Sequence, residues 1–332
     1  MWAMPTDREA LGRFFDIKNG RFDRCLEPTM VCEQRAIRAH SIQNRHTLEL
    51  LQAAGHVVAL RPRATGDQPP TIDFELIGRN NASTFAGFCG EHDRFIFAPI
   101  DTKPLDIGDR EQLFLFAYRA VTFELHAIME SAAKIQSMYQ ARVDLGWDPA
   151  DKTSPAAQFA TSNLLYSWIT WRYRADKFDE DFLSRQFDNL DHDVIFMDTS
   201  RPSIAVSSLF TVEGVTHDDD TVRIALNVLP LTCDRTVALF SYHKTDSSLG
   251  RAALGRILTA QGEYQKYELS KLIVRKMSNF YVSPDHYATW GLEKRNRIRE
   301  EFTITALREH ARNIGNPIGH ASDIEHADFM LF

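Results

Sequence analysis

In the stretch FAGFCGEHDRFIF, residues 85–97, Cys89 and His92 stand three apart. That spacing lets two side chains of one tight turn reach a single zinc ion, which takes four ligands in a tetrahedron. Cys25 and Cys32, seven apart, offer a second and longer pair. Cys25, Cys32, Cys89 and His92 therefore make a complete candidate set for one structural Zn2+. Two other readings use the same residues. Buried thiols beside a capping histidine need no metal, because cysteine is among the most buried residue types. Glu91, His92 and Asp93 would also serve as an acid–base cluster. Neighbours in one turn rarely converge on a substrate, however, which favours Asp93 as an outer partner of a His92 ligand. Cys233 lies far away, in a turn, and reads as a bystander.

A second group sits in IRAHSIQNRHTLELL, residues 37–51. His40 follows a short strand-like segment, with Asn44 and His46 close behind. Three roles are open to it: a core residue donating one hydrogen bond, a zinc ligand replacing Cys32, or a catalytic group. His46 and His56 read as helix-end residues. The HDDD run at 217–220 reads as a solvated hairpin loop. The basic stretches VRKM and LEKRNRIRE are interleaved with acids and read as a salt-bridged surface. Trp168, Trp171 and Tyr173 read as core.

The elements that must carry these residues alternate in type. PTDREALGRFF predicts a short helix capped by Thr6 or Asp7. A helix over roughly 44–54 should end at Gly55. HVVALRPRA and TIDFELIGR read as strands around the turn-rich ATGDQPPT. Asn81 or Ser83 should cap a short helix carrying Cys89, and FIFAPID reads as a buried extended segment. Residues 110–141 predict a helix apolar enough to be packed on more than one side. Ser154 and Pro155 start the next helix. HDVIFMDTSRPSIAVSSLFTVEG is rich in strand formers, and residues 222–229 and 236–242 read as an antiparallel hairpin with Val222, Ile224, Leu226 and Val228 on one face. Helices should return beyond Ser247 and again over LEKRNRIREEFTITALREHA.

The strand-end histidine of AHSI and the later FCGEHD resemble HNH-type nuclease modules, built on a treble-clef zinc knuckle. The likeness spans residues 24–97, and the same pattern also resembles uncharacterised bacterial proteins. It implies a structural Zn2+, a second divalent ion such as Mg2+ or Mn2+, His40 as the catalytic group, and nucleic acid as substrate. A bacterial setting of defence against foreign DNA goes with it. Only one short ligand pair is present, and Asp93 and Arg94 stand where the family's final histidine would be. Those departures fit the alternative: a non-catalytic protein with a structural zinc that acts through a protein partner or homo-oligomer.

Composition bounds these readings. The chain has 332 residues, a net charge of -7, 44% hydrophobic and 25% charged residues. That is a globular profile without uniform basic coating for nucleic acid. No apolar run approaches a bilayer's thickness and the N-terminus lacks a secretory pattern, so the expectation is a cytoplasmic protein with no membrane contact. Four cysteines make no disulfide framework. No nucleotide-binding or serine-hydrolase motif occurs. The expected fold is α+β: a zinc-nucleated module over 1–105, then a body over 106–332 with a helical middle, a small antiparallel sheet and C-terminal helices.

Overall fold

The computed structural model describes residue 20 and residues 22–63, 71–217, 220–312 and 329–332. The expected helix in PTDREALGRFF, and residues 64–70 of the ATGDQPPT loop, lie outside the described residues.

The fold is α+β, and its strands pair antiparallel throughout. A two-stranded sheet joins β1 (Ile37–His40) to β4 (Thr84–Phe88), with His40 opposite Thr84. The chain between them makes a helical turn over Asn44–Leu48 and Glu49–Leu51, then β2 (His56–Arg63) and β3 (Thr71–Gly78). Both strands form where expected; β2 is buried over four successive residues, 57–60, and Leu76 of β3, expected on the apolar face, is 66% exposed. His56, expected at a helix end, instead opens β2.

The main sheet has seven strands in the order β3-β2-β9-β6-β7-β8-β5. Its other members are β5 (Leu190–Asp198), β6 (Ile204–Glu213), β7 (Thr221–Pro230), β8 (Arg235–His243) and β9 (Phe280–Val282). The expected β7–β8 hairpin forms, with Val228 opposite Ala238. Strands from either side of residue 105 share this sheet, because β2 pairs with β9 at Val58 and Val282.

Among the described residues, five long helices complete the fold: α1 (Gly90–Asp101), α2 (Arg110–Asp144), α3 (Pro155–Arg174), α4 (Gly262–Lys276) and α5 (Leu292–Arg312). FIFAPID, expected to be extended, is the body of α1, and Asn81 and Ser83 cap no helix: β4 intervenes. Asp109 caps α2 by accepting from the N–H groups of Glu111 and Gln112, at 3.0 and 3.2 Å. Ser154 caps α3 as expected, accepting from Ala157 N–H.

The sheet is sandwiched between helices, so β7 is buried on both faces. Val222, Ile224, Leu226 and Val228 pack toward α4 and α5 with Leu269, Ile273 and Ile298. Ala225 and Leu229 pack on the opposite side with Leu113, Phe116 and Ala120 of α2. Residues 112–122 of α2 are buried without a break, as expected of a helix covered on several sides; beyond Ala127 it becomes partly exposed.

Contacts distant in sequence seat the β1–β4 pair and the loop before it on this scaffold. Asn279, beside β9, donates from Nδ2 to Ser41 Oγ at 2.8 Å and to the Ser207 carbonyl at 2.6 Å. The Tyr281 hydroxyl accepts from Ser83 N–H at 2.6 Å. Arg174, at the end of α3 and fully buried, donates to the Leu26 carbonyl at 2.8 Å and pairs with Asp179 at 3.2 Å.

Candidate functional site

Cys25 and Cys32 occupy the two ends of a loop whose geometry is set by one carboxylate. Glu27, only 4% exposed, accepts from the N–H groups of Thr29, Val31 and Cys32 at 2.7, 2.7 and 3.1 Å, and from the Thr29 hydroxyl. Burial raises its pKa, but these donors outweigh burial and hold it below the ordinary value. Met30 takes a left-handed φ of 58° within the loop. A bridge between Arg24 and Arg35 closes the base. A spacer of this length therefore turns tightly because an internal anion gathers its amides.

The second pair is positioned by β4 and α1. Cys89 is the N-cap residue of α1, in extended conformation, and His92 lies in its first turn. The sulfur and nitrogen atoms of Cys25, Cys32, Cys89 and His92 all lie within 4.8 Å of one another. His92 Nδ1 is 3.3 Å from Cys89 Sγ and 3.5 Å from Cys25 Sγ, and Cys32 Sγ is 3.9 Å from Cys89 Sγ. A zinc tetrahedron with ordinary bond lengths has S···S separations of about 3.8 Å and S···N separations of about 3.6 Å. The donor set thus fits zinc in chemistry and spacing. Cys89 N–H donates to Cys25 Sγ at 3.3 Å, the kind of contact that favours a thiolate.

The thiols carry opposite electrostatic biases. Burial pushes Cys25 up to about 12. Burial acts the same way on Cys89, but the N–H groups of His92 and Glu91 at the start of α1, with the neighbouring thiols, bring it below its ordinary value. A divalent cation among them would favour all three thiolates. Cys233 is exposed in the β7–β8 turn, away from this cluster.

His40 is not among the cluster residues, so it does not displace Cys32. It lines a separate cavity of about 270 Å³ with Arg38, Asn44, Asp93, Asp101 and Arg119. Asp93 and Asp101 are eight residues apart, about two turns, so α1 turns both toward this cavity. Burial lowers the His40 pKa, against a hydrogen bond to the Arg79 main chain that favours the protonated ring. Nε2 is buried and has no partner, which assigns the Arg79 contact to Nδ1–H. The ring is neutral at pH 7, with an unused lone pair. Asn44 donates from Nδ2 to Asn80 Oδ1 at 3.1 Å, and its own Oδ1 is buried without a partner.

Arg119 reaches this cavity from α2 and is 3% exposed. It grips Asp101 with two hydrogen bonds, 2.8 and 2.7 Å, and its guanidinium lies 4.0 Å from the Phe97 ring centroid. Burial raises the Asp93 pKa, opposed by Arg119. Sequence reasoning missed Glu27, Asp101 and Arg119. The signal for Arg119 was a lone cation in the apolar run FLFAYRAV, which requires a buried partner.

The remaining sequence readings resolve as follows. Asp220 accepts from the N–H groups of Thr216 and His217, as a hairpin loop demands; Asp218 and Asp219 lie outside the described residues. The basic C-terminal segments are ion-paired, with Arg297 on Glu293 at 3.0 Å and Arg275 on Glu301 at 2.6 Å. Trp168 is not core: it is 56% exposed. Among the described residues, no helix is long and apolar enough to cross a membrane. Compared with known proteins, the chain matches no family model, no curated protein and no solved structure.

Proposed function

We propose that this chain is an HNH-like nuclease in which Cys25, Cys32, Cys89 and His92 hold a structural zinc and His40 works in the adjoining cavity. In support of that reading, the loop carrying Cys25 and Cys32 precedes the β1–β4 pair, and Cys89 and His92 start the helix that follows β4. The observation that carries the catalytic half is that His40 and Asn44, whose Nε2 and Oδ1 are buried without partners, line one cavity with Asp93. Asp93 and Asn44 would hold Mg2+ or Mn2+, hard cations that take oxygen ligands. Such an ion supplies charge neutralisation at a scissile phosphate. His40 takes the proton from the attacking water on Nε2, while the Arg79 carbonyl keeps its tautomer fixed. Arg119 holds Asp101 in place beside Asp93. Arg38 and Arg45, exposed at the rim, are placed for the phosphate backbone.

The test is incubation of wild type and His40→Ala with plasmid and with RNA across a panel of divalent metals. Cleavage by wild type, falling by about 10²–10⁴-fold in the variant with zinc retained, is expected. No cleavage by either protein, with zinc present, would reject the nuclease.

A second reading, an interaction protein, is favoured by one surface. Leu164, Leu165, Trp168 and Ile169 of α3 are 44%, 55%, 56% and 38% exposed and form one helical stripe. Contiguous apolar surface of that kind marks protein contacts. Sedimentation of wild type and Trp168→Asp distinguishes a self-associating chain from a monomer.

A further inference from the structure

The α3 helix differs in composition from the rest of the molecule. Charged residues make up 25% of the chain, yet no Asp, Glu, Lys, Arg or His occurs between Lys152 and Arg172. One face of this uncharged stretch is already committed: Ala157, Ala160, Asn163 and Thr170 are buried, and the helix packs beside α2. Leu164, Leu165, Trp168 and Ile169 lie on another flank, each more than a third exposed, with the exposed Gln158, Thr161 and Arg172 continuing the row. A surface helix ordinarily turns its apolar stripe inward and its charges to water. Here small side chains face inward and large apolar ones face out. Half-exposed, the four leave on the order of 400 Å² of apolar surface in water, the size of the largest patch on a typical monomer.

The chemistry and spacing of this stripe select what covers it. A helix that lies on a membrane surface carries Lys and Arg along its polar face, and this stretch has neither. A different protein is usually selected by charges at the contact, which repel wrong partners, and the stripe offers none. A second copy needs no such charges. In a two-fold contact one patch faces itself, so a charge near the axis meets its like, and an uncharged face avoids that repulsion. The apolar positions also mirror themselves. With antiparallel helices and an axis between Tyr166 and Ser167, Leu165 falls opposite the partner's Trp168, and Leu164 opposite the partner's Ile169. Every large apolar residue of the stripe then meets another. The nearest charge, Arg172, falls opposite the partner's Thr161 and is balanced within its own helix by Asp176 at 3.1 Å.

We propose that the partner in the second reading is another copy of this chain, with two α3 helices crossing antiparallel about a two-fold axis between residues 166 and 167. The two stripes together bury about 800 Å² of apolar surface, at the low end for specific contacts, so the dimer dissociates in the micromolar range.

Sedimentation velocity of the full chain over a concentration series spanning that range, paired with thermal melting, is the test. Wild type should pass from monomer to dimer, and Trp168→Asp and Leu165→Asp should each weaken the dimer by about tenfold or more. Leu76→Asp, at an exposed leucine of β3, should leave it unchanged. So should His40→Ala, which makes loss of the dimer and loss of cleavage separable. Thr161→Glu, facing Arg172 across the axis, should tighten association and Thr161→Lys should loosen it, each by about twofold to fivefold. Both Thr161 variants moving association the same way would overturn the antiparallel crossing. A wild type that stays monomeric throughout overturns the second copy as partner, and melting then decides the second reading itself. If Trp168→Asp melts like that monomer, the stripe is open to another protein and the reading stands. If Trp168→Asp lowers the melting temperature, the stripe is covered by the same chain and the reading falls as well.

Discussion

The cysteine cluster and the His40 cavity share α1, yet they treat their polar atoms in opposite ways. In the cluster, four donors face one another at metal-ligand spacing, and the loop that carries two of them is gathered by Glu27. In the cavity, His40 Nε2 and Asn44 Oδ1 face no partner, although Arg119 and Asp101 beside them are tightly paired. His92 and Asp93 are adjacent in sequence and belong to different sites, because one helical step rotates a side chain by about 100°. The difference teaches that one helix can border both a closed donor set and a cavity that leaves acceptors unanswered. A structural metal site is closed, with every donor used, whereas a reactive site keeps positions open.

Removing a thiol is the severest way to break this comparison. Cys89→Ser should lose stoichiometric zinc, measured by plasma emission, with a stability loss on the order of 5 kcal/mol in denaturant unfolding, as for other lost metal sites. Unchanged zinc and stability would mean the cluster is only packed thiols. Next in size is Arg119→Met, which strips Asp101 of its partner. Urea unfolding should register a loss of about 2 kcal/mol, below that of a fully buried pair because the Asp101 side chain is 34% exposed. Zinc content should stay at the wild-type level; a fall would mean the two sites are one cooperative structure.

His40→Ala should shift stability by less than about 1 kcal/mol, so its effect on cleavage is separable from folding. The acid limb adds a sharper test. Burial holds the folded His40 pKa below the ordinary 6.5, so the unfolded chain takes up this proton first as pH falls. Stability from the neutral ring is present above 6.5 and is lost as pH drops through the lower folded value. Cleavage that uses Nε2 should therefore persist at pH 6.5 and decline only below it. A pH–rate profile already falling above 6.5 would exclude His40 as the base. The smallest effect belongs to Cys233→Ser. Being exposed, Cys233 should be replaceable with zinc unchanged and stability within about 0.5 kcal/mol.

The Cys25, Cys32, Cys89 and His92 cluster was legible in the sequence because these rare residue types stand at short local spacings. The strands β2, β3, β7 and β8 were legible because short runs of strand formers, alternating in β3 and β7, are bounded by turn residues, a local pattern. The start of α1 was not. FIFAPID is a short apolar run, and such runs have no decisive period. Its buried residues Ile96, Phe97 and Ile100 follow a helical spacing, with Phe95 76% exposed, but that became visible only once β4 was placed. The role of Glu27 was hidden because a lone acid in a loop looks solvated until its three amide partners are known. The cavity was hidden for another reason: it joins β1, α1 and α2, and only tertiary packing brings Arg119 to His40.

The placement of β9 bears on events in the cell that a folded protein no longer displays. All four cluster residues have left the ribosome soon after residue 92, whereas Ser41 must wait for Asn279, 238 positions later. At about 5–20 residues per second, that interval is on the order of ten to fifty seconds. For the part of it that follows residue 92, the four cluster residues are all present while the wall behind His40 is still missing a buttress. The order of synthesis thus lets the cysteine cluster assemble first and delays completion of the His40 cavity until residue 279 has been made.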